Sequence, residues 1–415
     1  MKISFCHKDC FFLLKSLFAM TLLLNSCIDP FKPDLAKNDL ESQLVVEGTI
    51  TDEPGPFKVR LTKSGSIYPI QYSDKVVYNP EPVSGADVHI TDDKGNDFHL
   101  YQGVNGWYET IDTCLQGVPG NTYTLQITDA DGNRFESTPE LMMEVPPIES
   151  LFFEEKQRIS IKRDEVSQEL WLDILLNTRM PADGIHYLKW EFEETWEFKM
   201  PEYIRVDKRF SDSPTCIGRA GESIPIMTWV TIPPEQFHCW GSEASKSILV
   251  KSTVDNLTGE IKSFPLISIG PEDDRLSIRY SILVKQYSLN KELYDFFKKL
   301  ENLNETNGGM YDKMPSPLYG NIQSLSGDKK VLGFFLVSTV KTKRIFIDNR
   351  DVHVKTGHNA YFSCGWVAPP LCMFPYYYYG KIVDNGTYIG TNVWSTEKFC
   401  TDCRERGKSV KPDFW

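Results

Sequence analysis

The residues best suited to chemistry lie near the carboxy terminus: Cys364, Cys372, and Cys400 with Cys403 across Thr401-Asp402. Four thiolates can hold zinc in a tetrahedron, and a C-x-x-C pair is common in such sites. The same spacing serves thiol–disulfide exchange when one thiol sits at a helix start with a lowered pKa. A third use is structural cross-linking, the ordinary fate of cysteines in an oxidising compartment. Which use applies depends on whether the chain is exported.

The amino terminus predicts export. Lys2, Lys8 and Lys15 precede an apolar run from Leu17 to Leu24, which ends at Asn25-Ser26-Cys27. A basic segment, a short apolar core and a small residue before the cut form a cleaved signal. A cysteine directly after Ser26 makes it a lipoprotein signal: residues 1–26 are removed and Cys27 becomes the acylated first residue. The apolar run is too short for a membrane span, which needs about 20 such residues. Two or three acyl chains suffice for durable anchoring, so the membrane is an expected partner through Cys27.

With export, disulfides become the expected use of the cysteines. Beyond Cys27 there are seven: Cys114, Cys216, Cys239, Cys364, Cys372, Cys400 and Cys403. The count is odd, and Cys114, alone in the amino-terminal half, is the one expected to stay free. The other six allow fifteen pairings, among which sequence does not choose. Cys400-Thr401-Asp402-Cys403 runs straight into Arg404-Glu405-Arg406-Gly407 with no strand–helix–strand pattern around it, which disfavours a redox enzyme.

Other catalytic signals are sparse. His89, His99, His186, His238, His353 and His358 form no paired metal-ligand spacing, and no phosphate loop, nucleophile elbow or dinucleotide fingerprint appears. No catalytic residue, metal site or cofactor is therefore assigned. The formal charge of −12 becomes −14 once residues 1–26, with three lysines and Asp9, are removed. An acidic chain without a basic block argues against nucleic acid as a partner. Candidate ligand-stacking aromatics are Trp366, Tyr376, Tyr378 and Trp394; successive residues of the Tyr376–Tyr379 run point to opposite faces in a strand, so at most half share a surface.

The elements that must position these residues are mostly strands. Residues 27–40 are polar and interrupted by Pro30 and Pro33, a tether. In residues 41–145, Phe57, Val59 and Leu61 alternate with Lys58, Arg60 and Thr62, and Tyr123, Leu125 and Ile127 alternate with Thr124, Gln126 and Thr128. Period two marks half-buried strands. Two similar stretches, Ile90 to Asn96 and Ile127 to Asn133, each read as strand, Asp/Gly/Asn turn and strand. Calcium loops are the rival reading, but Gly132 stands fourth from Asp129 where an EF-hand glycine stands sixth. Residues 41–145 are thus expected to form an antiparallel β-sandwich, which resembles immunoglobulin-like and transthyretin-like modules.

Pro139, Pro146 and Pro147 mark a boundary, and residues 146–415 are expected to form a larger β-rich domain. There Leu188, Trp190, Phe192, Trp196 and Phe198 share a strand face interrupted by Glu194. Leu276, Ile278, Tyr280, Ile282 and Val284 mark another strand. From Ser288 to about Asn304 the period changes to 3.6, predicting one amphipathic helix over 288–304, capped by Ser288 and serving as a lid on a sheet. Trp415 ends the chain and is ordered only if it docks on the fold.

Several separated segments together resemble one known family: Cys239-Trp240, Arg279 to Leu289, Gly320-Asn321-Ile322, Val331-Leu332-Gly333-Phe334-Phe335, Lys343 to Ile347, and Cys400-x-x-Cys403 ending in Lys411-Pro412-Asp413-Phe414-Trp415. The chain resembles a Bacteroidota lipoprotein family catalogued as domain of unknown function 4249. The resemblance implies a lipid-anchored protein of the outer membrane, on its periplasmic or its surface face, with a TonB-dependent transporter as companion. It implies no catalytic residue. The expectation is a non-catalytic accessory or ligand-binding lipoprotein. The alternatives are a hydrolase or metal-dependent enzyme with a dispersed site, and a structural or adhesive surface protein.

Overall fold

The computed structural model describes residues 42–64, 71–72, 75–76, 80–162, 165–181, 187–200, 203–209, 226–231, 234–254, 258–271, 273–305, 318–354, 376–379, 381–382, 388–389, 394–395 and 402–415. The fold is mainly β, with strands in several antiparallel sheets and one long helix among the described residues. No described helix is long and apolar enough to cross a membrane.

Alternation builds the first sheet. In Thr122–Thr128, Tyr123, Leu125 and Ile127 turn inward and Gln126 outward; in Lys58–Lys63, Val59 and Leu61 turn inward. The hydrogen-bonded path runs Ile322–Ser324, Arg134–Ser137, Thr122–Thr128, Asp87–Asp92, Asp97–Gln102, Trp107–Glu109, Lys58–Lys63, Leu44–Ile50 and Val331–Val337. This sheet wraps a core that includes Val46, Leu61, Ile90, Tyr108, Leu125 and Phe335. Its two outermost strands both come from beyond residue 320, so the amino-terminal sheet is completed by late sequence. Val331–Val337 runs parallel to Leu44–Ile50, whereas the other pairs along the path are antiparallel. A parallel pair needs a long crossover, and here most of the second sheet system lies within it.

Asn321 pins the two ends of this sheet together. Its Nδ2 donates to the Phe335 carbonyl at 2.8 Å and its Oδ1 accepts from the Phe335 N–H at 2.8 Å, as a strand partner would. The flanking glycines make the approach possible. Gly333 has φ +97°, and a Cβ on it would collide with the Val46 carbonyl; a Cβ on Gly320 would collide with the Gly333 carbonyl.

The two repeated turns are built alike. Asp92 Oδ1 accepts from the N–H groups of Lys94 and Asn96 at 3.0 and 2.9 Å, and Asp129 Oδ1 accepts from those of Asp131 and Asn133 at 3.0 and 2.8 Å. Asn96 and Asn133 side chains donate to the second carboxylate oxygens. Burial raises both carboxyls, but these donors together outweigh it and hold both below their usual range. Both carboxylates thus serve turn geometry, with positive φ at Gly95 and Gly132.

Two further sheets pack face to face. Ile148–Lys162, Glu165–Arg179 and Glu260–Ile269 form one. The other centres on Tyr187–Lys199, flanked by Arg279–Ser288 and by His238–Ala244, with Val340–Asp348 beyond. Leu188, Trp190 and Phe192 are buried between them with Leu172, Ile174, Tyr280 and Ile282.

The opposite face of Tyr187–Lys199 is covered too. At one end the helix Lys291–Glu305 lays Leu293, Phe296 and Phe297 on Tyr287, Val250 and Leu336, as a lid. Beneath it Lys189 is buried, paired with Glu191 and lying 5.2 and 5.0 Å from the ring centres of Tyr287 and Phe297. The cap is Asn290, whose Oδ1 accepts from the Leu293 N–H at 2.8 Å. Ser288, the expected cap, is the last residue of the preceding strand, and its hydroxyl bonds Ser338 and the Met143 carbonyl instead. At the other end lies the carboxy terminus: Trp415 Nε1 donates to Glu197 Oε2 at 3.3 Å, and the indole meets Phe346 edge-on at 5.8 Å.

Candidate functional site

An open groove of about 970 Å³ lies where the connector Leu141–Glu149 passes between the strand systems. Met142, Met143, Val145, Pro146, Pro147 and Met180 supply apolar lining, and Glu144, Glu149, Arg179 and Lys341 supply charge. The sequence marks this connector as a proline-punctuated boundary, yet it is pinned along its length. The Met143 carbonyl accepts from Ser288 Oγ at 3.0 Å and from the Thr339 N–H at 3.2 Å. Val145 N–H donates to Thr339 Oγ1 at 2.7 Å, and the Pro146 carbonyl accepts from Gln286 Nε2 at 2.7 Å. Three of the four charges have partners: Arg179 Nε lies 3.5 Å from Glu149, its Nη2 bonds Glu260, and Lys341 lies 3.9 Å from Asp52. Apolar lining on a connector fixed by hydrogen bonds suits recognition, because little backbone ordering cost remains for binding. The described lining contains no histidine, cysteine, serine or threonine.

Buried carboxylates elsewhere serve the scaffold. Glu140 accepts from Thr138 Oγ1 at 2.6 Å, Asn290 Nδ2 at 2.6 Å and Asn321 Nδ2 at 2.7 Å, joining the first sheet, the helix cap and the sheet closure. Burial pushes its carboxyl above the usual range despite these donors. Glu194, the polar interruption of the aromatic face, accepts from Tyr280 Oη at 2.7 Å and Arg275 Nη1 at 2.8 Å, while Asp273 binds the same guanidinium. Burial raises the Glu194 carboxyl, and Arg275 opposes the rise. Perturbed carboxyls often mark active sites. These two are enclosed among their partners, with side chains of Glu194 and Arg275 only 4% and 19% exposed.

Cys239 and Cys403 form a disulfide across 164 residues, both fully buried against Phe198 and Met200. Cys403 is therefore committed to Cys239 and not to a C-x-x-C pair or zinc site. Cys114 is free and exposed. Cys27, Cys216, Cys364, Cys372, Cys400 and Trp366 lie outside the described residues. Tyr376 and Tyr378 lie in the strand Tyr376–Tyr379, where Tyr378 is in register with Trp394 and Tyr376 with Val206. The groove itself had no sequence signature, since Pro119, Met143, Arg179 and Lys341 come from four distant segments.

Several of the separated segments noted in the sequence meet as structural joints. Gly320-Asn321 locks onto Gly333 and Phe335; Arg344 sits 3.7 Å over the Phe414 ring and Phe346 touches Trp415; Trp240 pairs with Lys408 through both backbone groups, at 2.8 and 2.9 Å. No curated protein matches the chain. A family model described as Domain of unknown function (DUF4249) matches residues 28–344, most of the chain. The chain belongs to the DUF4249 family.

Proposed function

We propose that this protein is an outer-membrane lipoprotein, tethered through Cys27, that acts without catalysis as an accessory or ligand-binding component of a TonB-dependent transport system. The observation that carries the reading is the groove: an apolar lining on a connector held by hydrogen bonds, with the Arg179–Glu149 pair and Lys341 beside it. The amino-terminal signal supports the anchor, and membership of DUF4249 supports the setting. Its mechanism is presentation. The tether lifts the sheets off the lipid, and the groove takes an amphipathic segment of ligand or transporter. The buried carboxylates favour no enzymatic reading, since each is enclosed by its own partners.

Mass spectrometry of the mature terminus should find acylated Cys27, and Cys27→Ser should release the protein from membranes. A serine variant that stays membrane-bound removes the tether from the account.

A further inference from the structure

On the outer face of the hairpin Asp87–Asp92 and Asp97–Gln102, His89 and His99 stand directly opposite each other in the register, their rings stacked at 4.7 Å. Both Nε2 atoms converge on one oxygen: Asp87 Oδ1 lies 3.0 Å from His89 Nε2 and 3.1 Å from His99 Nε2. The second nitrogen of His89, Nδ1, is held by Asp97 Oδ1 at 2.9 Å. We propose that Asp87, His89 and His99 bind a divalent transition-metal ion of the zinc class, with Asp97 as a positioning residue. The proposal is independent of the groove reading above.

Geometry and ligand type both favour it. Zinc takes nitrogen and carboxylate oxygen at about 2.0–2.2 Å, so neighbouring ligands of a tetrahedron stand about 3.3 Å apart. The two nitrogen–oxygen separations are already near that edge, and all three ligand atoms lie within 4.8 Å of one another. At most about 1.5 Å of movement by exposed ring tips completes the figure, leaving a fourth vertex for water. Asp97 on Nδ1 is the carboxylate–histidine–metal arrangement, which fixes the tautomer that presents Nε2 to the ion. Imidazole with carboxylate selects zinc, nickel or copper over the hard ions calcium and magnesium. The ion would displace whatever proton Asp87 shares with the rings. Any polar hairpin face can be solvated, but solvation does not require two opposed imidazoles to aim at one carboxylate oxygen.

Histidine spacing within one strand hides the site. The pair becomes visible only from the turn: with Asp92 and Asn96 closing the hairpin, positions 89 and 99 must face each other.

The test is calorimetric titration of the full mature protein, in detergent and without a polyhistidine tag, with zinc chloride, supported by native mass spectrometry. One ion should bind per chain, with magnesium and calcium giving no heat. His99→Ala and Asp87→Asn should each weaken binding at least about tenfold, and Asp97→Asn about 10- to 100-fold. His353→Ala, which alters a different strand contact, should leave binding unchanged. Thermal midpoints of the hairpin variants should stay near wild type, because these side chains are outside the core. Absence of stoichiometric zinc binding, or binding that survives His99→Ala, overturns the proposal and leaves the cluster an ion pair.

Discussion

Arg275→Ala should destabilise the protein by about 3–5 kcal/mol, the cost of leaving a buried charge without its partner. Among the described residues, the variant strips Glu194 of the cation that bonds it and leaves Tyr280 Oη as the side-chain donor. Glu194 sits on the strand whose neighbours Trp190, Phe192 and Phe198 fill the cores, so the penalty falls at the centre of the sheet. The sign of the pH effect follows. Glu194 is already raised by burial, and loss of Arg275 raises it further. A carboxyl raised in the folded state favours folding below its unfolded pKa, about 4.3, and that contribution is lost as pH rises through the folded value. The deficit of Arg275→Ala should therefore be large at pH 8 and shrink toward pH 5, measured by denaturant midpoints. A deficit independent of pH would show that Glu194 is not the group left exposed to the loss.

The Cys239–Cys403 bridge carries the second large effect. It ties the strand His238–Ala244 to the turn Cys403–Glu405, from which residues 406–415 run back over the sheet. Closing a loop of 164 residues is worth about 5 kcal/mol in the chain-entropy account. Cys239→Ser should lower stability by that amount and release the tail: protease should trim the carboxy terminus, and Trp415 should become accessible to quenchers. Alkylation without reductant should label Cys114 and spare Cys239 and Cys403. Labelling of Cys239 under those conditions would contradict the bridge.

Local patterns were legible in the sequence and long-range joints were not. Period two in residues 122–128 gives the buried triplet Tyr123, Leu125 and Ile127, because a half-buried strand must alternate. The change to period 3.6 places the helix within three residues of its observed start, Lys291. The cap was misassigned because Ser288 and Asn290 are both competent cap residues, and only the bonds of Ser288 to Ser338 and Met143 show that it is taken. The aromatic face around Trp190 was legible, but the reason for Glu194 within it was not, since Arg275 lies 81 residues away. Likewise Val331–Val337 carries no mark that it pairs with Leu44–Ile50; only the positive φ of Gly333 and the Asn321 side chain reveal why that contact is close. The groove is a product of such joints, so it could not be read beforehand.

The role in transport is tested most directly by gentle solubilisation. The account predicts that the acylated protein, taken from membranes in mild detergent, carries a TonB-dependent transporter barrel with it in comparable amount, and that deleting the lipoprotein lowers uptake through that barrel. A lipoprotein that purifies alone, with uptake unchanged in its absence, contradicts it.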